Sequence, residues 1–361
     1  MKVRAFHLLN DFSGSPKVLS QLVKGWDEQG IDVEVYTSFG NKGFLSTVPF
    51  WITRENVWYT FYENKLLRLL ALVWSQCLLF FKFFLKVKKT DIIYVNTVLP
   101  FGAGLLGKVK GCRVIYHIHE STMSPPILKA FLFGVVKFTA TDVVYVSKYV
   151  ASAEPMQGKN VHILYNAIPE TFLERANATP RDITMPQNVL MVCSLKKYKG
   201  VVEFVEVAKR LKQYRFRMVL NATIKDIDTF FQGISLPANL ELFPMQRDVI
   251  PHYAWADLIV NFSHPESWVE TFGLTIIEGM AFGKPAIVPP VGGITEVVDD
   301  GFNGYHLNPH DVEKTSKTIL DLFLNAKEYA RFSKNAETKL QAFREKAFIE
   351  GSLRILEGGL V

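Results

Sequence analysis

Short runs of β-branched and aromatic residues alternate along the chain with longer amphipathic stretches, the two periods that mark strands and helices. KVRAFHLL opens as a strand, Pro16 to Gln29 reads as a helix closed by Gly30, and IDVEVYTS alternates with period two. A long helix is expected from about Glu63 to Lys88. Strand DIIYVN, a helix after Pro100, strand RVIYHI, a helix from about Pro125 and strand DVVYVS follow. Apolar strands separated by helices indicate a parallel, doubly wound sheet. Ile168 to Asn188 holds three prolines (Pro169, Pro180, Pro186) and reads as a linker. Beyond it the pattern restarts. VLMVCS, FRMVLN, LELFP, DLIVNF and PAIVPP are expected strands, with helices at Gly200–Tyr214, Ile224–Phe231, Val249–Ala254 and Gly273–Phe282. From about Asp311 the pattern is helical. The expected fold class is α/β with two such domains, 1–168 and 188–340, joined by a linker at 169–187. A terminal helix at 341–361 is expected to pack back on the first domain.

Composition agrees with two domains, since 361 residues exceed what one core usually supports. An apolar content of 48% with 21% charge belongs to a globular chain and excludes a disordered one. Three scattered cysteines (Cys77, Cys112, Cys193) offer neither a disulfide framework nor metal spacing, which suits a reducing compartment. The apolar part of MKVRAFHLLNDF is too short for a secretion signal and reads as a first strand, so a cytoplasmic location is expected. Charge is uneven. Residues 1–175 hold 20 Lys+Arg against 13 Asp+Glu, a balance of +7, and the other half is near neutral. No nucleic-acid-binding module accompanies this excess, and an anionic membrane face or anionic acceptor suits it better.

Leu66 to Lys89 is long and apolar enough to span a bilayer. Arg68, Ser75, Lys82 and Lys86 fall on one helical face, however, which is unlike a spanning helix. Two readings stay open: a domain helix against the sheet, or a helix in the membrane interface on the inner face of the plasma membrane.

The chemistry gathers in HPESWVETFGLTIIEGMAFGKPAIVPPVGGITEVV, which starts at His264. A polar loop leads into a helix near Gly273, followed by a strand and a Gly292-Gly293 turn. The N–H groups around Phe272 to Thr275 lack helical partners and attract an anion, and a diphosphate there puts Glu270 near whatever it carries. Glu278 lies about a turn and a half into the helix. Lys196, Lys197 and Lys199 precede another helix start at Gly200, again suited to a diphosphate. His119 ends strand RVIYHI and His117 lies deeper on the same face. In such sheets ligands sit beyond the carboxyl ends of the strands.

The region from about Asn261 to Leu307 resembles the signature of the family 4 retaining glycosyltransferases. FGLTIIEGMAFGKP, the Gly-Gly turn before Glu296 and DDGFNGYHL from Asp299 carry the likeness. The resemblance implies the GT-B fold, two Rossmann-like domains facing a central cleft, and a nucleoside diphosphate sugar as donor. It implies that Glu270 contacts the transferred sugar, with His119 beside it (His117 as the alternative), and that Glu278 holds the ribose. Lys199 would grip the diphosphate, and Gly14, Ser194, Lys196, Met245, Phe272, Gly273 and Leu274 would complete the donor site. No metal and no other cofactor are expected. The acceptor would be a glycan or a lipid-linked glycan of envelope polysaccharide, lipopolysaccharide or glycolipid assembly. Two departures stand out. Cys193 and Ser194 replace the family's Gly-Arg pair, and Ser13-Gly14 replaces a Gly-Gly turn. A nucleotide-sugar epimerase of the same fold and a non-catalytic homologue are the alternatives.

Overall fold

The computed structural model describes residues 1–38, 43–180 and 185–359. The chain forms two compact units, Met1–Asn166 with Lys346–Val361, and Ala167–Glu345.

Among the described residues the first unit holds seven strands: β1 (Lys2–Leu9), β2 (Asp32–Ser38), β3 (Thr53–Asn56), β4 (Asp91–Asn96), β5 (Arg113–Ile118), β6 (Asp142–Tyr145) and β7 (Asn160–Ile163). They lie in the order β3-β2-β1-β4-β5-β6-β7, and every pairing is parallel. Val3, Ala5, Ile93, Val95, Val114 and Tyr116 are fully or almost fully buried, as expected for a sheet covered on both faces. The order reverses between β1 and β4, so the carboxyl ends of those strands form a switch point where ligands commonly sit. Residues 346–359 close this unit. Trp26 Nε1 donates to Ser352 Oγ at 2.9 Å, and Arg113 donates to the carbonyls of Ile355 and Leu356.

The second unit contains β8 (Asn188–Ser194), β9 (Arg215–Asn221), β10 (Leu240–Phe243), β11 (Leu258–Val260), β12 (Ala286–Val288) and β13 (Gly304–His306), in the order β10-β9-β8-β11-β12-β13. Here too all pairings are parallel, and the reversal falls between β8 and β11.

Two expectations need correction. The stretch 169–187 is not simply a linker. Pro169 takes the N-cap position and Pro180 follows the C-cap residue Thr179, so these prolines bracket the helix Glu170–Ala178. That helix buries Leu173 and Ala176, and Arg344 pairs with Glu170 at 2.7 Å, so it belongs to the second unit. Residues 181–184 of the expected linker, and 360–361 of the terminal helix, lie outside the described residues.

The second correction concerns the long helix, which runs Lys65–Phe83 with the Asn64 side chain accepting from Leu66 and Leu67 N–H. Its expected cationic stripe is tied to its own unit. Ser75 is fully buried, Lys82 stays exposed while its Nζ donates to Asn56 O, and Lys86, just past the helix, is half-buried beside Glu55 and Glu34. The exposed side is largely apolar, with Trp74 59% and Phe81 75% exposed, and Leu85, in the turn that follows, 91% exposed.

Candidate functional site

The carboxyl ends of β8 and β11, the switch point of the second unit, bring Lys199 to Glu270. β8 ends at Ser194 and a short 3-10 turn, Lys197–Lys199, follows. Of the three lysines only Lys199 turns inward; Lys196 and Lys197 are exposed. Gly200 ends the turn at φ +73°, and a Cβ there would lie 2.2 Å from Phe262 O, so only glycine brings this turn so close to the chain leaving β11.

Glu270 receives three hydrogen bonds on Oε1: from Lys199 Nζ at 2.5 Å, Ser263 Oγ at 2.6 Å and Asn261 Nδ2 at 3.3 Å. Burial pushes its carboxyl up. The Lys199 ammonium and the hydrogen bonds from Lys199, Ser263 and Asn261 outweigh this and hold it below the ordinary value. The Glu270 backbone is fixed as well. Gly293 N–H donates to Glu270 O at 2.8 Å, and Gly292, at φ +104°, leaves no room for a Cβ, which would lie 2.5 Å from that oxygen. The Gly-Gly turn therefore positions Glu270. Lys199 Nζ also lies 4.8 Å from the centre of the Trp268 ring, which stacks on Tyr198 at 5.2 Å.

The helix after Glu270 runs Leu274–Met280, with Gly273 before it at φ +131°. Gly273 and Leu274 are half-buried, whereas the Phe272 ring is buried against Phe343. Only the backbone of Phe272 is available to a ligand. Glu278 is 6% exposed and accepts from Tyr253 OH at 2.7 Å. Ser194 is half-buried, its carbonyl accepting from Lys196 N–H. Its neighbour Cys193 is pushed up to about 12 by burial, so its thiol is protonated. Met245 lies just past β10 and is exposed. The chain holds one Asp-x-Asp spacing, Asp226 and Asp228, but Asp226 caps the helix Ile224–Phe230 through Thr223.

Gly14 and His119 belong to the first unit. Gly14 opens the helix Gly14–Glu28, and Ser13 Oγ donates to Asp11. His119 Nε2 lies 2.9 Å from Asn96 Oδ1, and Asn96 Nδ2 lies 3.1 Å from both Ser15 O and His7 Nδ1. His117 Nδ1 is 2.9 Å from Tyr94 OH, and the two neighbouring imidazoles stand 4.3 Å apart. Burial holds His117 near 3 and His119 well below its ordinary value, with His117 and His7 adding to the latter, so both rings are neutral at pH 7. Thr97 sits at φ +72°, a conformation costly for a β-branched residue and frequent at functional sites. Burial pushes Glu120 up to about 7. Asn96, His7 and Glu120 were missed in the sequence, although Asn96 and Glu120 satisfy the strand-end rule that selected His119. Asn261, Ser263 and Trp268 were missed too, since a lone amide, hydroxyl or indole in a loop carries no signal of its own.

Two Rossmann-like parallel sheets, each with a polar switch point, define the GT-B class. The chain matches the model of group 1 glycosyl transferases over residues 180–339 and that of glycosyltransferase family 4 over residues 12–172. It belongs to this glycosyltransferase family. An uncharacterised glycosyltransferase of Methanocaldococcus jannaschii is 24% identical over 74% of this chain and 75% of its own. A sucrose synthase of Acidithiobacillus caldus is 38% identical over 63 residues, 18% of this chain, which spans only 8% of that enzyme. Anabaena HepE, solved in complex with UDP-glucose, superposes with a TM-score of 0.80 at 18% identity, covering 99% of this chain and all of its own, and shares the fold.

Proposed function

We propose that the protein transfers a sugar from a nucleoside diphosphate donor to an acceptor hydroxyl with retention of anomeric configuration. The observation that carries this reading is the Lys199–Glu270 pair beside Ser263 and Asn261, seated at a switch point behind a Gly-Gly turn. Lys199 and the N–H groups near Gly273 stabilise the departing diphosphate. Glu270 meets the transferred sugar and counters positive charge developing on it. Glu278 takes the ribose, His119 presents a neutral imidazole to the sugar, and no metal takes part in the transfer. Ser194, standing where the family has arginine, leaves Lys199 as the principal cation for the diphosphate.

The acceptor is a glycan or lipid-linked glycan of envelope assembly, met at the cytoplasmic face of an anionic membrane. The apolar outward face of Lys65–Phe83 supports this, together with exposed Phe50, Trp51, Trp58 and Phe61 and the basic excess of residues 1–175. The helix is long and apolar enough to cross a bilayer, but Ser75 and Gln76 are buried and Gln76 accepts from Gly102 N–H, which suits a helix seated on its own unit.

The direct test incubates the protein with nucleotide sugars and membrane-extracted acceptors and reads the product anomer by NMR. The expected product keeps the donor's configuration. Inversion would overturn the stereochemical reading, and release of an altered donor sugar without acceptor would point to an epimerase.

A further inference from the structure

We propose that Glu203, His264 and His310 form a divalent-metal site of the zinc class, distinct from the donor residues, that clamps the turn carrying Trp268. The three come from separate segments of the second unit. Glu203 is in the first turn of the helix Val201–Arg210, His264 follows β11, and His310 precedes Asp311, the N-cap of the helix Val312–Leu324. His264 Nε2 lies 3.0 Å from Glu203 Oε1, and His310 Nδ1 lies 3.4 Å from the same oxygen. The ligand atoms all fall within 4.8 Å of one another. Ligands about 2.0–2.1 Å from a tetrahedral zinc stand roughly 3.3 Å apart. Both distances to Glu203 Oε1 already match this, and the two histidine nitrogens, within 4.8 Å of each other, draw together on an ion by a side-chain adjustment at the exposed His310.

A hydrogen-bonded cluster explains the arrangement less well. His264 Nε2 and Glu203 Oε2 are buried and neither has a hydrogen-bond partner among the described residues, although the histidine nitrogen is close to the other carboxylate oxygen. Side-by-side lone pairs that do not point at each other are what a shared cation requires, and a buried polar atom left unmet is otherwise costly. With His310 Nδ1 as ligand, its Nε2 lies 3.5 Å from Glu266 Oε2, so a small shortening would make the carboxylate–histidine–metal arrangement that fixes a ring and its tautomer. Two imidazoles and one carboxylate with a fourth position for water is a common zinc set.

The consequence for the neighbouring site follows from the backbone. His264 N–H donates to Tyr198 O at 2.8 Å, and His264 O accepts from Trp268 N–H at 2.9 Å. An ion on His264 therefore pins the turn whose Tyr198 and Trp268 rings stack beside Lys199, tying it to the helix that carries Glu203 and to the turn at His310 that leads into Val312–Leu324. Its role is to hold that turn and not to act on the donor.

The test uses the untagged full chain in a Cys77→Ser background, which removes an exposed thiol. After chelator treatment it is titrated with Zn²⁺ by calorimetry and with Co²⁺ by visible absorption. One equivalent should bind, with Co²⁺ giving the d–d bands of a four- or five-coordinate site. His310→Gln, at the most exposed ligand, should keep the apo melting temperature and weaken Zn²⁺ at least 10–100-fold, the loss that even an outer-shell partner causes. Glu203→Gln should do the same. Absence of a stoichiometric site, or wild-type affinity in both variants, would overturn the proposal.

Discussion

Lys199 and Glu270 are coupled, and this changes what each substitution should do. An ammonium has three donors, so Lys199 can keep Glu270 while reaching a diphosphate. Glu270→Gln removes a competitor for that ammonium. Affinity for a free nucleoside diphosphate, measured by calorimetry, should stay level or rise, while transfer falls by about 10²–10³, as when a transition-state partner is lost. A parallel loss of nucleotide affinity would refute this division. Glu278 mixes roles: Glu278→Ala unpairs Tyr253 OH in a buried site, so it should lower stability by about 1–3 kcal/mol in a denaturant melt as well as weaken nucleotide binding. Unchanged stability would mean that the Tyr253 hydrogen bond is dispensable. Both acids could be read from the sequence because their spacing, the Gly-rich turns and the helix start lie in one segment. The pairing of Glu270 with Lys199 could not. The two are 71 positions apart, and only the adjacency of β8 and β11 joins them.

At the scale of elements, Lys65–Phe83 shows how far periodicity reaches. Its spacing located a face shared by Arg68, Ser75 and Lys82 but did not say which way that face points. Asn56, Glu55 and Glu34 hold Lys82 and Lys86 against their own unit, Ser75 is buried, and Trp74 and Phe81 are left exposed. Trp74→Glu with Phe81→Glu should therefore reduce sedimentation with anionic vesicles, and wild-type binding should fall as salt rises. Lys82→Glu should act mainly on stability, by breaking its bond to Asn56 O. Vesicle binding that survives the double change would exclude this face. Most helices and the long strands were legible, but β3, β7 and β13 were not. TREN carries no apolar pattern, NVHI is short, and GYH is three residues, so tertiary pairing alone defines them. The linker was misread for a related reason: prolines mark helix boundaries as readily as gaps.

For the whole molecule, two sheets built the same way carry different loads. The first unit buries Arg4 between Glu34, Asp91 and Tyr36. Burial pushes the Glu34 carboxyl up, but Lys2, Tyr36, Arg4 and Lys86 outweigh it and bring it down to about 2. A carboxyl lowered in the folded state stabilises above its unfolded value, and that stability is lost as pH falls from about 4.5 to about 2. Acid unfolding followed by circular dichroism should show this window, and Glu34→Gln should be less stable at neutral pH and flatter across it. An unchanged acid profile would count against the network.

The second unit carries the central claim, that its switch point holds a nucleoside diphosphate sugar through Lys199. The most direct measurement is a thermal shift of the wild type and Lys199→Ala against a panel of uridine, guanosine and adenosine diphosphate sugars. One donor at about 100 times its Kd should stabilise the wild type by roughly 2.7 kcal/mol, a rise of several degrees, and Lys199→Ala should lose most of that rise. A panel without effect on the wild type, or an equal rise in both proteins, would contradict the claim.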